Sequence, residues 1–432
     1  MSIFSRLFQS FFSKFSTPEK NIAAIFYEVR NSKRFDRRYL DDKIAKITQH
    51  IKIKKCNPNP HRIAFLSTAL FDQSGQAKCL LSITKVLNHT YEQAIFLTAL
   101  KKAEHDAPKT IKELKKYLFM LGINCVSERF VDNVTFLTNK IMDFAPKVII
   151  ASMNPHDIFA TAILSLIRKN TNIKILYFNQ ASHWPLLGAS FAHFIIEASP
   201  LTARITIERR HMNNYKIIPL PSLEQGETIY YTQSQIQKLK KDLNILQDAL
   251  VSLSGGTAYN FFDAQNNSEY FQMIKNLLLR EKKLYHIVMS NFSRGHIKAI
   301  SMIFGNDYLK LKERLILMPR KDNFDIYFQM ADVFIDSFPI SSALTQMDLM
   351  RNKVASIVKI NDKNPMHSFH EYQMPGYPYM YTCVSDMENA ILKLLHDKNA
   401  RKKIVEKNYK YWLSKYEANV VAQKYIQLIE EV

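Results

Sequence analysis

The chain has 432 residues, with 59 Lys+Arg against 39 Asp+Glu for a formal net charge of +20, and 47% of it is apolar. At roughly 100–200 residues per domain, this supplies cores for two or three domains and excludes a low-complexity disordered chain. With only nine Gly, and neither G-x-x-x-x-G-K-[ST] nor G-x-G-x-x-G present, it is unlike a P-loop NTPase or a standard dinucleotide enzyme.

The first fifteen residues, MSIFSRLFQSFFSKF, place Ile3, Phe4, Leu7, Phe8, Phe11, Phe12 and Phe15 at steps of three and four. That spacing puts them on one helix face, opposite Ser2, Ser5, Arg6, Gln9, Ser13 and Lys14. A secretory signal would need a continuous apolar core and a small-residue cleavage site, and neither is present. Residues 1–20 therefore read as an in-plane membrane anchor, with docking on the protein's own core as the alternative. Residues 1–55 hold 13 Lys+Arg and 5 Asp+Glu, a surplus that anionic headgroups attract. No apolar run reaches the length of a membrane-spanning helix. Cys56, Cys79, Cys125 and Cys383 form no C-x-x-C pair, which excludes a zinc ribbon or disulfide framework and fits a reducing cytoplasm. The expected location is cytoplasmic, peripheral on the inner face of the cytoplasmic membrane.

From Arg62 onward, short apolar runs rich in β-formers alternate with helical patterns. Strands are expected over 62–70, 93–100, 147–153, 173–180 and 193–199, with helices around 76–88, 108–121, 132–144 and 157–169. The two-proline segment 217–227 interrupts the pattern, and a charged helix follows over 233–244. Strands resume over 249–256, 284–291, 314–320, 332–338 and 354–360, and two helices are expected over 388–432. Alternation of this kind predicts βαβ units and parallel sheets. The divisions are 1–20, an N-terminal lobe over 21–222, a linker over 223–246, a second lobe over 247–390, and terminal helices over 391–432. Ligands of open α/β sheets bind beyond the carboxyl ends of the strands, so two facing lobes would form a cleft.

The stretch ADVFIDSFPISSALTQMDLMRNKVASIVKI (331–360) runs from a buried strand through a Ser-rich loop into a helix and a second strand. Free amides and the dipole at a helix start favour anions, and hydroxyls add donors. Ser341, Ser342 and Thr345 are placed for phosphate and Asp348 for ribose hydroxyls, while plain capping by Ser is the structural alternative. This stretch resembles the nucleotide-binding segment of GT-B glycosyltransferases, especially the O-linked N-acetylglucosamine transferase type and its bacterial relatives. Thr345, Met347 and Asp348 match that family's T-x-M-D. The departures are Leu344 and Gln346 for a Thr and a Gly, Ala343 for a His, and Asn352-Lys353-Val354 for G-x-P.

Two further stretches carry the likeness. Ser254-Gly255-Gly256-Thr257 is similar to the first loop of GT-B donor domains, where small residues let amides approach a diphosphate. The cation usual a few positions later is absent, and Arg320 or Arg294 is placed to replace it. YFNQASHWPLLGASFAHFIIEASPLTARITIERR (177–210) resembles a bacterial sugar-transferase stretch through His183, Trp184, Leu187, Gly188, Ser190, Arg209 and Arg210, with Gln180 and Ser182 replacing its first His and Asp. His183 is the candidate base on an acceptor hydroxyl, with Asp72 as the alternative. Gly75, Gln76, Trp184 and Gly188 are the candidate acceptor contacts.

His367, His370 and Glu371 stand in an H-x-x-H-E order, which is not a metalloprotease motif, and no D-x-D triplet occurs. The resemblance thus implies an α/β GT-B protein with two Rossmann-like lobes facing each other across a cleft. It implies a metal-independent transfer from a nucleotide-sugar, UDP-linked, to a glycan or lipid-linked hydroxyl acceptor such as lipopolysaccharide, lipooligosaccharide or capsule. No cofactor is expected, nor a nucleic-acid partner. The alternatives are a protein O- or N-glycosyltransferase, a non-catalytic glycosyltransferase-like partner and a basic nucleic-acid-binding protein.

Overall fold

A computed structural model of the chain describes residues 17–31, 34–72, 75–123, 130–180, 184–220, 230–319, 321, 324–361, 367–368 and 370–432. The amphipathic segment 1–15 lies outside them. The fold divides into two compact units, Met1–Glu224 with Ala418–Val432, and Gln225–Glu417.

The first unit begins with helices α1 (Thr17–Asn31) and α2 (Arg38–Thr48). Then come β1 (Asn59–Ser67), α3 (Gly75–Leu87), β2 (Glu92–Leu97), α4 (Leu100–Asp106), α5 (Pro108–Leu114) and β3 (Phe119–Gly122). Next are α6 (Phe130–Phe144), β4 (Pro146–Ser152), α7 (Ile158–Asn170), β5 (Lys174–Phe178), β6 (Phe194–Glu197), α8 (Pro200–Arg210) and β7 (Tyr215–Ile217). The strands form a parallel sheet ordered β3-β2-β1-β4-β5-β6-β7. Strand β1 shows why: Ile63, Ala64, Phe65 and Leu66 are all buried, in register with Val148–Ala151 of β4. A run apolar on both faces suits a strand covered by helices on both sides.

The second unit holds α9 (Gln233–Asp242), β8 (Leu250–Gly255), α10 (Glu269–Arg280), β9 (Leu284–Met289), α11 (Arg294–Phe304), α12 (Tyr308–Leu311) and β10 (Leu315–Met318). It continues with α13 (Asp325–Met330), β11 (Val333–Ile335), α14 (Ala343–Arg351), β12 (Ser356–Lys359), β13 (Met380–Tyr381), α15 (Val384–His396) and α16 (Lys398–Lys415). Its parallel sheet is ordered β10-β9-β8-β11-β12-β13. In both sheets the first strand sits beside the fourth, so the winding reverses between β1 and β4 and again between β8 and β11. Such switch points open crevices at the carboxyl edge.

Two expectations need correction. The helix expected over 108–121 stops at Leu114, and residues 119–122 instead form edge strand β3. Gly122 permits that pairing, because a Cβ there would lie 2.7 Å from the Leu97 carbonyl oxygen. The C-terminal segment makes three helices, since Asp397 caps α16 by accepting from the Ala400 amide at 2.8 Å. The last, α17 (Ala418–Glu431), packs on α3 of the first unit, where Lys147 Nζ donates to the Ile429 carbonyl at 2.7 Å.

Asp41 on α2 fastens the loop after β5 from below. Its carboxylate accepts from the Gly188 amide at 2.7 Å and the Ser190 hydroxyl at 2.6 Å. Gly188 itself has φ +83°, and a Cβ would meet Thr161 Oγ1 at 2.9 Å. Gly188→Ala is therefore expected to cost about 1–3 kcal/mol of stability, read as a lower urea midpoint; an unchanged midpoint would contradict the strain.

Candidate functional site

The carboxyl edge of the second unit gathers most of the expected nucleotide residues. Strand β11 ends at Ile335, and Asp336 follows it fully buried. Its carboxylate accepts from the Ser341 hydroxyl at 2.5 Å and from the Ser337 and Ser342 amides at 3.0 and 3.1 Å. These bonds curl residues 336–342 into a tight loop, in which the Phe338–Pro339 peptide is cis. Ser342 precedes α14 but gives it no side-chain cap. Its hydroxyl instead donates across the switch point to the Gly255 carbonyl at 2.7 Å.

The loop after β8 meets this one closely. The Asn260 carboxamide donates to the carbonyls of Ile340 and Ser341 at 3.2 and 3.4 Å, and the Ile340 amide returns to the Asn260 carbonyl at 3.3 Å. Gly256 is required here, since a Cβ would lie 2.8 Å from Ser342 Oγ. Thr257 is exposed beside it, while Thr345 and Asp348 are half-buried on α14. Gly255, Gly256, Thr257, Ser341, Ser342, Thr345 and Asp348 thus belong to one polar edge, beside the start of a helix whose dipole favours anions. Ser254 differs from them, because its hydroxyl is buried and donates to the Ile335 carbonyl at 2.6 Å. Arg320 lies outside the described residues, and Arg294 is an exposed first-turn residue of α11.

The first unit has its own polar edge between β1 and β4. Asp157 is buried there and caps α7 through the Ala160 amide at 2.9 Å. Its other oxygen accepts from the Thr68 and Thr98 hydroxyls at 2.5 and 2.6 Å. Burial raises its pKa against the pull of those donors. Gln76 reaches into the same edge, donating to the Ser152 carbonyl at 2.9 Å, and Gln180 donates to the Ser152 hydroxyl at 2.9 Å. Gly75 begins α3 immediately before Gln76.

Other expected residues of this unit have partners of their own. Asp72 accepts from the amides of Thr110 and Lys109 at 2.8 and 3.2 Å, so its carboxylate covers the start of α5. Gly188 is buried, and its amide is held by Asp41. Trp184 is 48% exposed and meets His156 edge-on, with ring centroids 5.5 Å apart. Its carbonyl accepts from Arg210 at 2.7 Å. Arg210 is no surface cation; it is buried near Glu197, which itself accepts from Asn179 and Thr206. His183 lies outside the described residues. Among the described residues, no group of three or more His, Cys, Asp or Glu is arranged to hold a metal ion, and no helix is long and apolar enough to cross a membrane.

Asp336, Asp157 and Asn260 are site residues that sequence patterns alone did not single out. A signal existed for two of them. Asp336 ends an apolar run, and Asp157 directly precedes one at helical spacing, where a cap belongs. Burial pushes Asp336 up to about 6, opposed by its hydroxyl and amide donors. A raised folded value favours the protonated form, so this stability is complete below about pH 4 and lost as pH rises through about 6. Asp336→Asn, which cannot titrate, is expected to flatten the fall in wild-type stability between pH 4 and 6.5 by on the order of 2 kcal/mol. Urea midpoints across that range measure it, and parallel profiles would refute it.

No family model matches this sequence, and the search of curated proteins found no match either. Solved structures do match. Anabaena HepE, in complex with UDP and glucose, superposes with TM-score 0.66 at 12% identity, covering 86% of this chain and 100% of that one. The lipopolysaccharide outer core galactosyltransferase WaaB, in its apo form, gives 0.60 at 11% identity over 86% and 100%. The UDP-GlcNAc 2-epimerase of Neisseria meningitidis, bound to UDP-GlcNAc, gives 0.55 at 11% over the same shares. Such identities establish architecture alone: the chain has the α/β fold of GT-B glycosyltransferases, built on two parallel sheets of seven and six strands.

Proposed function

We propose that the chain is a glycosyltransferase that moves a sugar from a UDP-sugar to a hydroxyl of a cell-surface glycan, of the lipopolysaccharide, lipooligosaccharide or capsule kind. The observation carrying this reading is the hydrogen-bonded edge at β8 and β11, where small residues, hydroxyls and a helix start converge on a switch point. That chemistry suits a nucleoside diphosphate, and the UDP in the HepE complexes supports the same donor class. The lipopolysaccharide substrate in the WaaB name supports the acceptor class. The basic residues 1–55 support work at an anionic membrane surface, on the inner face of the cytoplasmic membrane.

In this reading the amides of residues 255–257 and the start of α14 hold the diphosphate, with Ser341, Ser342 and Thr345 beside it. Arg320 adds a cation and Asp348 takes the ribose hydroxyls. The acceptor oxygen bonds to the anomeric carbon as the bond from that carbon to the β-phosphate oxygen breaks. The diphosphate leaves with the electron pair, and the acceptor proton passes to the imidazole of His183. Helix N-termini and cations stabilise the charge that develops on the departing group, without a metal. Gly75, Gln76 and Trp184 contribute to acceptor binding, with Asp72 as the alternative base.

Incubation with a panel of UDP-sugars and glycan acceptors is expected to release UDP. Asp348→Ala should weaken UDP affinity about tenfold by calorimetry, as losing hydrogen bonds to one carboxylate does. His183→Ala should leave affinity within about twofold while lowering turnover about 100-fold or more. An isomerised sugar still joined to UDP would point to remodelling on the nucleotide, as the epimerase likeness allows. Salt-sensitive RNA binding without nucleotide affinity would sink the reading.

A further inference from the structure

The core of the second unit contains a chain of polar side chains that the proposed chemistry does not use. Ser252 on β8, His286 on β9 and Tyr270 on α10 are each fully buried. The Ser252 hydroxyl lies 2.8 Å from His286 Nδ1, His286 Nε2 lies 2.8 Å from the Tyr270 hydroxyl, and that hydroxyl lies 2.5 Å from Ser254 Oγ. Ser254 in turn lies 2.6 Å from the Ile335 carbonyl oxygen.

The proton directions from Ser254 back to His286 follow from the last member of this chain. A carbonyl oxygen only accepts, so the single Ser254 proton goes to Ile335. Ser254 Oγ must then accept from Tyr270, which uses the tyrosine's only proton. His286 therefore carries its proton on Nε2 and donates it to Tyr270, leaving Nδ1 to accept from Ser252. The imidazole is neutral in this arrangement, and burial pushes its pKa down to about 3.

The far end of the chain matters because of where it stops. Backbone pairing between β8 and β11 covers only Ser252 with Val333 and Leu253 with Phe334. Beyond those pairs β8 and β11 share no further backbone pairing, and the Ser254-to-Ile335 bond joins them one residue before Asp336. We propose that Ser252, His286 and Tyr270 form an ordered hydrogen-bond chain that holds Ser254 in place, and so sets the width of the crevice in which a nucleoside diphosphate binds. These are positioning residues: none is exposed to touch a ligand. The proposal rests on the nucleotide reading of this edge.

Tyr270→Phe keeps the ring and removes one hydroxyl, which cuts the chain next to Ser254. Ser252→Ala cuts it at the opposite end. Calorimetric titration with UDP on the full chain is expected to show a graded effect. Tyr270→Phe, which loses the hydrogen bonds to both His286 and Ser254, should weaken binding at least fivefold, and Ser252→Ala, which loses the bond to His286 Nδ1, less than twofold, with both variants folded at the titration temperature by circular dichroism. Nitrogen-15 NMR of the imidazoles should show the His286 signal, assigned by its loss in His286→Gln, as the neutral Nε2–H tautomer from pH 8 to pH 5. Equal UDP affinity for wild type and Tyr270→Phe, equal losses for both variants, or the Nδ1–H tautomer would overturn the proposal while leaving the nucleotide reading intact. A folded wild type with no affinity for UDP or other nucleoside diphosphates would overturn that reading and this one with it. If Tyr270→Phe does not fold, Ser254→Ala carries the same test, with the same fivefold loss expected.

Discussion

A buried carboxylate at the end of β11 is the interaction on which the candidate nucleotide edge depends. Taking a carboxylate out of water costs several kcal/mol unless donors surround it. Asp336 recovers part of that cost from the Ser341 hydroxyl and the Ser337 and Ser342 amides, and those bonds are what bend the loop. Once bent, the loop turns Ser342 toward the Gly255 carbonyl and brings Ile340 and Ser341 against Asn260. The two loops at the switch point are thus one hydrogen-bonded body, with Gly256 supplying the space between them.

The first unit solves the same problem with different residues. Its winding also reverses between the first and fourth strands, and a buried Asp157 sits at that edge. There the donors are the hydroxyls of Thr68 and Thr98 and the start of α7. The common cause is geometric. Helices leave opposite faces on either side of a switch point, so the loops above it cannot complete their hydrogen bonds through the sheet ladder. A carboxylate with several acceptor sites replaces those missing partners. In each unit the result is a polar edge held rigid by a group that itself faces inward.

Most strands and the αβ alternation were legible because runs such as Ile63–Leu66 and Val148–Ile150 are apolar on both faces. The short edge strands β3, β7 and β13 were not, since edge residues such as Phe119 are partly solvated and their pairing is set by neighbours far away in sequence. At the site, Gly255, Gly256, Ser341, Ser342, Thr345 and Asp348 could be picked out by residue type and position after a strand or before a helix. Ser254 and Gly188 belong to the same motifs, yet their groups are spent on Ile335 and Asp41. A motif names residue types, and does not say which polar groups the fold has already consumed.

Local chemistry explains the division. The sequence by itself determined the α/β class, the parallel sheets and the loops where polar residues collect, because burial period, turn residues and capping preferences act over a few neighbours. Only the tertiary structure decided that Ser342 bonds to Gly255, 87 positions away, that Ser252, His286 and Tyr270 form one chain, and that the last helix packs on the first unit. Those partners meet through sheet order and helix crossings, and a buried polar group takes whichever complementary group the fold carries within about 3 Å of it.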